Sequence, residues 1–124
     1  MPEKSVDKDF SQLLDTFPPA VRTVAVEARR LILATIPGAS EEVDSKARVI
    51  GYGIGGGYSG MICTIILSKT GVKLGLVKSA SWPDPDGLLE GTGKVHRYVA
   101  CETVADVRRP GVKRLLKYAS TTRG

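Results

Sequence analysis

The side chains best suited to chemistry in this chain are Lys94, His96 and Arg97, which cluster at the end of a long loop. Gly91 and Gly93 precede them, so bare backbone amides stand beside an ammonium and a guanidinium. Such a nest can hold a carboxylate or phosphate through charge-assisted hydrogen bonds. Arg97 could instead pair with Glu90, Asp86 or Asp84 and staple the loop shut. The pairing has the stronger claim, because structural ion pairs imitate ligand chemistry. His96 is the single histidine of the sequence, which excludes a histidine relay or a multi-histidine metal centre within one chain. Ser79, Ser81, Cys63 and Cys101 carry no recognisable nucleophile motif around them, and a general base needs such a partner within reach. The constellation reads as non-enzymatic binding chemistry.

Other clusters fail for stated reasons. Gly53-Ile54-Gly55-Gly56-Gly57 is followed by a strand pattern, whereas a dinucleotide-binding turn needs a helix whose amides face the phosphates. A flexible hairpin connection is expected there. Gly91-Thr92-Gly93-Lys94 misses the phosphate-binding loop, since Gly87 lies one residue too far upstream and Val95 stands where Ser or Thr must bind magnesium. Asp84, Asp86 and Glu90, or Glu41, Glu42 and Asp44, offer oxygen ligands for a hard cation or iron. Solvated loop acids and a helix-to-strand connection explain them at least as well.

The elements that must position these groups follow from periodicity. Phe10, Leu13, Leu14 and Phe17 share one helix face, with Ser5 or Asp7 as the cap and Pro18 as the stop. Pro19 opens a second helix with the stripe Val21, Val24, Ala25, Ala28, Leu31, Ile32 and Ile36, interrupted by Thr35 and closed by Pro37-Gly38. Arg22, Arg29 and Arg30 take its wetter side. Strands are predicted over Ala47–Tyr52, Met61–Ser68, Val72–Val77 and Arg97–Glu102, with a hairpin turn at Lys69-Thr70-Gly71. The second of these is apolar on both faces, Ile62 and Ile66 on one and Cys63, Ile65 and Leu67 on the other, as a central strand should be. Pro110 starts a last helix with Val112, Leu115, Leu116 and Ala119 inward.

Charge and composition bound the remaining choices. The net charge is +5, and all of it resides in the segment from Thr103 onward, where Arg108, Arg109, Lys113, Arg114, Lys117 and Arg123 face the single acid Asp106. Tyr118 is the one aromatic residue there, so no stacking platform for nucleic acid is interleaved, and a solvated basic face is expected. The longest apolar run, Met61–Leu67, is too short to cross a bilayer. The polar N-terminus lacks the pattern of a signal peptide, which makes the cytoplasm the expected compartment. Cys63 and Cys101 have no CxxC spacing and are expected as buried free thiols.

The segment from Pro83-Asp84-Pro85-Asp86-Gly87-Leu88-Leu89-Glu90-Gly91-Thr92-Gly93-Lys94 to Arg97-Tyr98-Val99 resembles the YdhG-like domains, a family of unknown function. Arg29-Arg30-Leu31-Ile32-Leu33 ahead of Pro37-Gly38-Ala39, Ile50-Gly51-Tyr52-Gly53, and Val72-Lys73-Leu74-Gly75-Leu76 extend the resemblance over most of the chain. It implies the same α+β fold, and through one branch a relation to a frataxin-like iron chaperone, hence iron carriage. Two departures stand out. Tyr98 follows Arg97 where similar sequences often have His, and the loop from Gly53 to Gly60 is unusually rich in glycine.

The expectation is thus one α+β domain over residues 1–124, an antiparallel sheet of four or more strands with two N-terminal helices and a C-terminal helix. The expected ligand site lies beside the 78–97 loop, bordered by Tyr52, Gly75, Trp82, Lys94, His96, Arg97 and Tyr98. Gly75 belongs to it because a missing side chain on a strand lets something approach the backbone. The expected occupant is a small anionic molecule or a protein partner. Iron carriage is the alternative, and contact of the basic C-terminal helix with nucleic acid is the less favoured one. An exposed strand edge could pair two copies into a homodimer.

Overall fold

In the computed structural model, which describes residues 2–55 and 60–122, helices α1 (Pro2–Leu14) and α2 (Pro19–Thr35) precede five strands. These are β1 (Ser40–Asp44), β2 (Val49–Gly53), β3 (Met61–Leu67), β4 (Val72–Leu76) and β5 (Arg97–Cys101). A short helix α3 (Val104–Val107) and helix α4 (Pro110–Thr122) complete the chain. The molecule is α+β. Every strand pairs antiparallel with its neighbour in sequence, giving the sheet order β1-β2-β3-β4-β5.

The two expected N-terminal helices form, with a shifted start. Helix α1 begins at Pro2, so Asp7 lies within it and, instead of capping, bonds Arg29 of α2. Pro18 is the N-cap of α2 and Pro19 its first turn, as the missing proline N–H allows. The apolar stripe from Val21 to Ile36 is buried as its spacing requires.

Residues opposite one another in an antiparallel sheet share a face. Ile50 and Ile65 pair, as do Ile65 and Leu74, then Leu74 and Val99; all are buried under the helices. The neighbouring row runs Gly51, Thr64, Gly75 and Tyr98 across four strands, and it faces the other way. Among the described residues that second face carries no helix, and all four positions of the row are half-buried.

Two strand expectations are corrected. Ser40–Asp44 is an edge strand, not a connection, and the predicted Ala47–Tyr52 strand starts at Val49. Acidic residues are poor strand formers, but an edge tolerates them, and Glu41 is anchored. Its carboxylate takes two bonds of 2.7 Å from Arg29 and one of 2.6 Å from the Tyr52 hydroxyl. The alternation of β3 also breaks. One residue, Ile62, is extra between the pairs Tyr52–Cys63 and Gly53–Met61. This bulge buries Ile62 and brings Met61, not Ile62, beside Thr64 and Ile66 on the open face. The expected hairpin turn holds, with the Ser68 amide donating to the Gly71 carbonyl at 3.0 Å.

Among the described residues no helix is long and apolar enough to cross a membrane. Cys63 and Cys101 are buried free cysteines, and burial pushes the Cys63 thiol up to about 12. The glycine loop expected at Gly53–Gly57 runs into residues 56–59, which lie outside the described residues, as does Arg123.

Candidate ligand site on the open face of the sheet

The long segment between β4 and β5 is pinned at its base, middle and tip. At the base Ser79 is fully buried; its hydroxyl donates to the Leu76 carbonyl at 2.7 Å and accepts from the Arg97 amide at 2.9 Å. Lys78 takes a left-handed backbone conformation, with φ of 60°. Its amide donates to His96 Nδ1 at 2.9 Å, which orients the imidazole and leaves Nε2 as the other ring nitrogen. In the middle, Asp84 accepts from the Leu88 and Leu89 amides at 2.9 Å each, and Leu88 and Leu89 pack on the core. Asp86 pairs with Arg114 of α4 at 2.7 Å. Towards the tip, Glu90 exchanges two backbone hydrogen bonds with Tyr98, adding one rung beyond the β5 edge. The next residue, Gly91, has φ of 104°, and a Cβ there would lie 2.9 Å from the Tyr98 ring. Only glycine meets both demands.

Against this lip, on the open face, lies a cavity of about 280 Å³ lined by Met61, Thr64, Ile66, Gly75, Val77, His96, Arg97 and Tyr98. Its floor is apolar. His96 and Arg97, at the start of β5, stand at its rim. Arg97 Nε donates to the Gly93 carbonyl at 2.6 Å, and its terminal nitrogens have no partner among the described residues. The expected pairing of Arg97 with Glu90, Asp86 or Asp84 is not formed: Asp84 is taken by the Leu88 and Leu89 amides and Asp86 by Arg114, and no ion pair joins Glu90 to Arg97 among the described residues. The staple is a carbonyl, so the cation remains uncompensated by a carboxylate. Lys73 sits 4.6 Å from the Tyr98 ring centroid and holds it by a cation–π contact.

The seven expected site residues divide. Gly75, His96, Arg97 and Tyr98 converge on the cavity. Tyr52 does not: it is 1 % exposed on the helix-covered face, its hydroxyl spent on Glu41. Trp82 does not either. Its indole stacks edge-on against Tyr118 of α4, ring centroids 5.1 Å apart. Lys94 is exposed on the loop and outside the lining. Gly75 is empty for a reason other than the expected one, since a Cβ there would collide with Thr64 Oγ1. The neighbour that approaches its backbone is a side chain of this protein. Met61, Thr64, Ile66 and Val77 were not anticipated. For the first three the signal is the doubly apolar pattern of β3, which by itself implies burial on both faces.

Among the described residues no group of three or more His, Cys, Asp or Glu side chains gathers as metal ligands. Three of the six acids considered for iron serve the fold: Asp84 turns the loop, Asp86 ties it to α4, and Glu41 anchors β1. No family model, curated protein or solved structure matches this chain.

Proposed function

We propose that this chain is a binding domain for a small amphipathic acid, with the apolar body on the open face of the sheet and the acidic group at its rim. One observation carries the reading: an apolar hollow whose border holds an arginine without a carboxylate partner. Apolar walls with few convergent polar groups are the usual make-up of small-molecule sites. The volume suits a compact ligand. Arg97 Nη1 and Nη2 and His96 Nε2 supply the donors, and a carboxylate is the acceptor that a guanidinium fork matches best. The reading keeps the non-enzymatic role and the cytoplasmic setting, with which two buried free thiols accord. It stays compatible with the YdhG-like resemblance.

Amide chemical-shift mapping with octanoate and with octanol tests it. Octanoate should shift Thr64, Gly75 and Tyr98 and bind at least about tenfold tighter than octanol, the value of one charge-assisted contact. Arg97→Met should erase that preference while the dispersion of the spectrum persists. Equal affinity for acid and alcohol, or shifts confined to the helix side, would overturn the proposal.

A further inference from the structure

On the opposite side of the molecule a second hollow opens where the last turns of α2 meet α3 and the start of α4. Its volume is about 410 Å³. Arg30, Arg108, Arg109 and Lys113 line it together with one carboxylate, Glu27. Four cations thus surround a single anion.

Glu27 fixes the geometry of two of them. Arg30 donates to it through Nε at 3.0 Å and Nη2 at 2.7 Å, and Arg108 through Nε at 3.0 Å. The carboxylate is buried, while the Arg30 and Arg108 side chains are 60 % and 66 % exposed. Arg108 uses only Nε, so its terminal N–H groups remain for another acceptor. Arg109 is fixed separately, by bonds to the carbonyls of Asp106 at 2.7 Å and Ala100 at 3.0 Å. Its hydrogen-bond partners are neutral carbonyls, and the Asp106 carboxylate acts on it only through space. Lys113 has no partner among the described residues. Thr35 also lines the hollow, and its buried Oγ1 has no hydrogen-bond partner among the described residues.

We propose that this cleft binds a small multivalent anion of the phosphate-ester class, held by Arg30, Arg108, Arg109 and Lys113. Preset guanidiniums suit tetrahedral oxyanions, and the excess positive charge favours two or more negative charges over one. The site lies on the helix side, away from the open-face cavity, so either can fail alone.

Calorimetric titration of the intact chain with inorganic pyrophosphate at physiological salt tests it. Saturable binding is expected, weakened by about tenfold or more in Lys113→Glu, a reversal of charge at the site. Lys46→Glu makes the same charge change at an exposed position between β1 and β2 and should stay within about twofold, because salt screens remote charges. Far-ultraviolet circular dichroism checks that both variants fold, with Lys113→Gln as the milder substitute. No saturable heat with the parent, equal losses in the two reversals, or binding of a short RNA where pyrophosphate gives none would each overturn the proposal.

Discussion

Gly75 shows how far a single missing methyl group can matter. Thr64 leans over it from β3 and Ile66 contacts the same space, so the row from Gly51 to Tyr98 closes only if β4 has no side chain there. Gly75→Ala should cost about 1–3 kcal/mol in urea unfolding, the usual penalty for overpacking. It should also fill the cavity floor. The two thiols make a complementary case. Cys63 is sealed and its thiol raised, and Cys101, also fully buried, is raised as well by burial. Neither should react with a disulfide reagent at pH 8 until denaturant is added, because the thiolate is the attacking species. Reaction in the native protein would show that the sheet opens on its own.

At the scale of elements, Arg29 is the joint between the helices and the sheet edge. It bonds Asp7 of α1 and Glu41 of β1 and lies 4.6 Å from the Phe10 ring centroid. Arg29→Met should destabilise the fold by about 3–5 kcal/mol, since it strands a buried carboxylate. Arg29→Lys should restore only part, because an ammonium cannot repeat the two-pronged contact. This joint also explains why β1 was hidden in the sequence. Ser-Glu-Glu-Val-Asp has the composition of a connection, and the partners that make it a strand are twelve and eleven residues away from Glu41. Strands β2 to β5 and the three longer helices declared themselves through local periodicity, which needs no distant partner. The candidate site was half legible for the same reason. Alternation placed Gly75 and Tyr98 on a strand face, but only the register across the sheet decides that Tyr52 points the other way. Nothing within the loop itself foretold that Trp82 would turn to α4.

For the whole molecule, the link between distant parts of the chain is Glu27, on α2, held by Arg108 beyond the sheet. Hydrogen bonds from Arg30 and then Arg108 lower its carboxyl from an ordinary 4.5 to about 2. A depressed folded-state value adds stability that is fully present above pH 4.5 and lost as pH falls towards 2. Unfolding free energies measured from pH 5 to pH 2 should therefore fall for the parent and flatten in Glu27→Gln across that window. If both chains lose stability in parallel, the acid response belongs to other carboxylates.

A strand-by-strand meander has two outer margins, and each invites another chain to add to it. Acidic side chains guard one, at β1. The other, at β5, is screened by the single rung that Glu90 makes with Tyr98. Cutting the segment between Asp84 and Glu90 would unmask that margin. A nicked chain should then associate with its own kind through β5, seen as a larger sedimenting species than the intact chain gives.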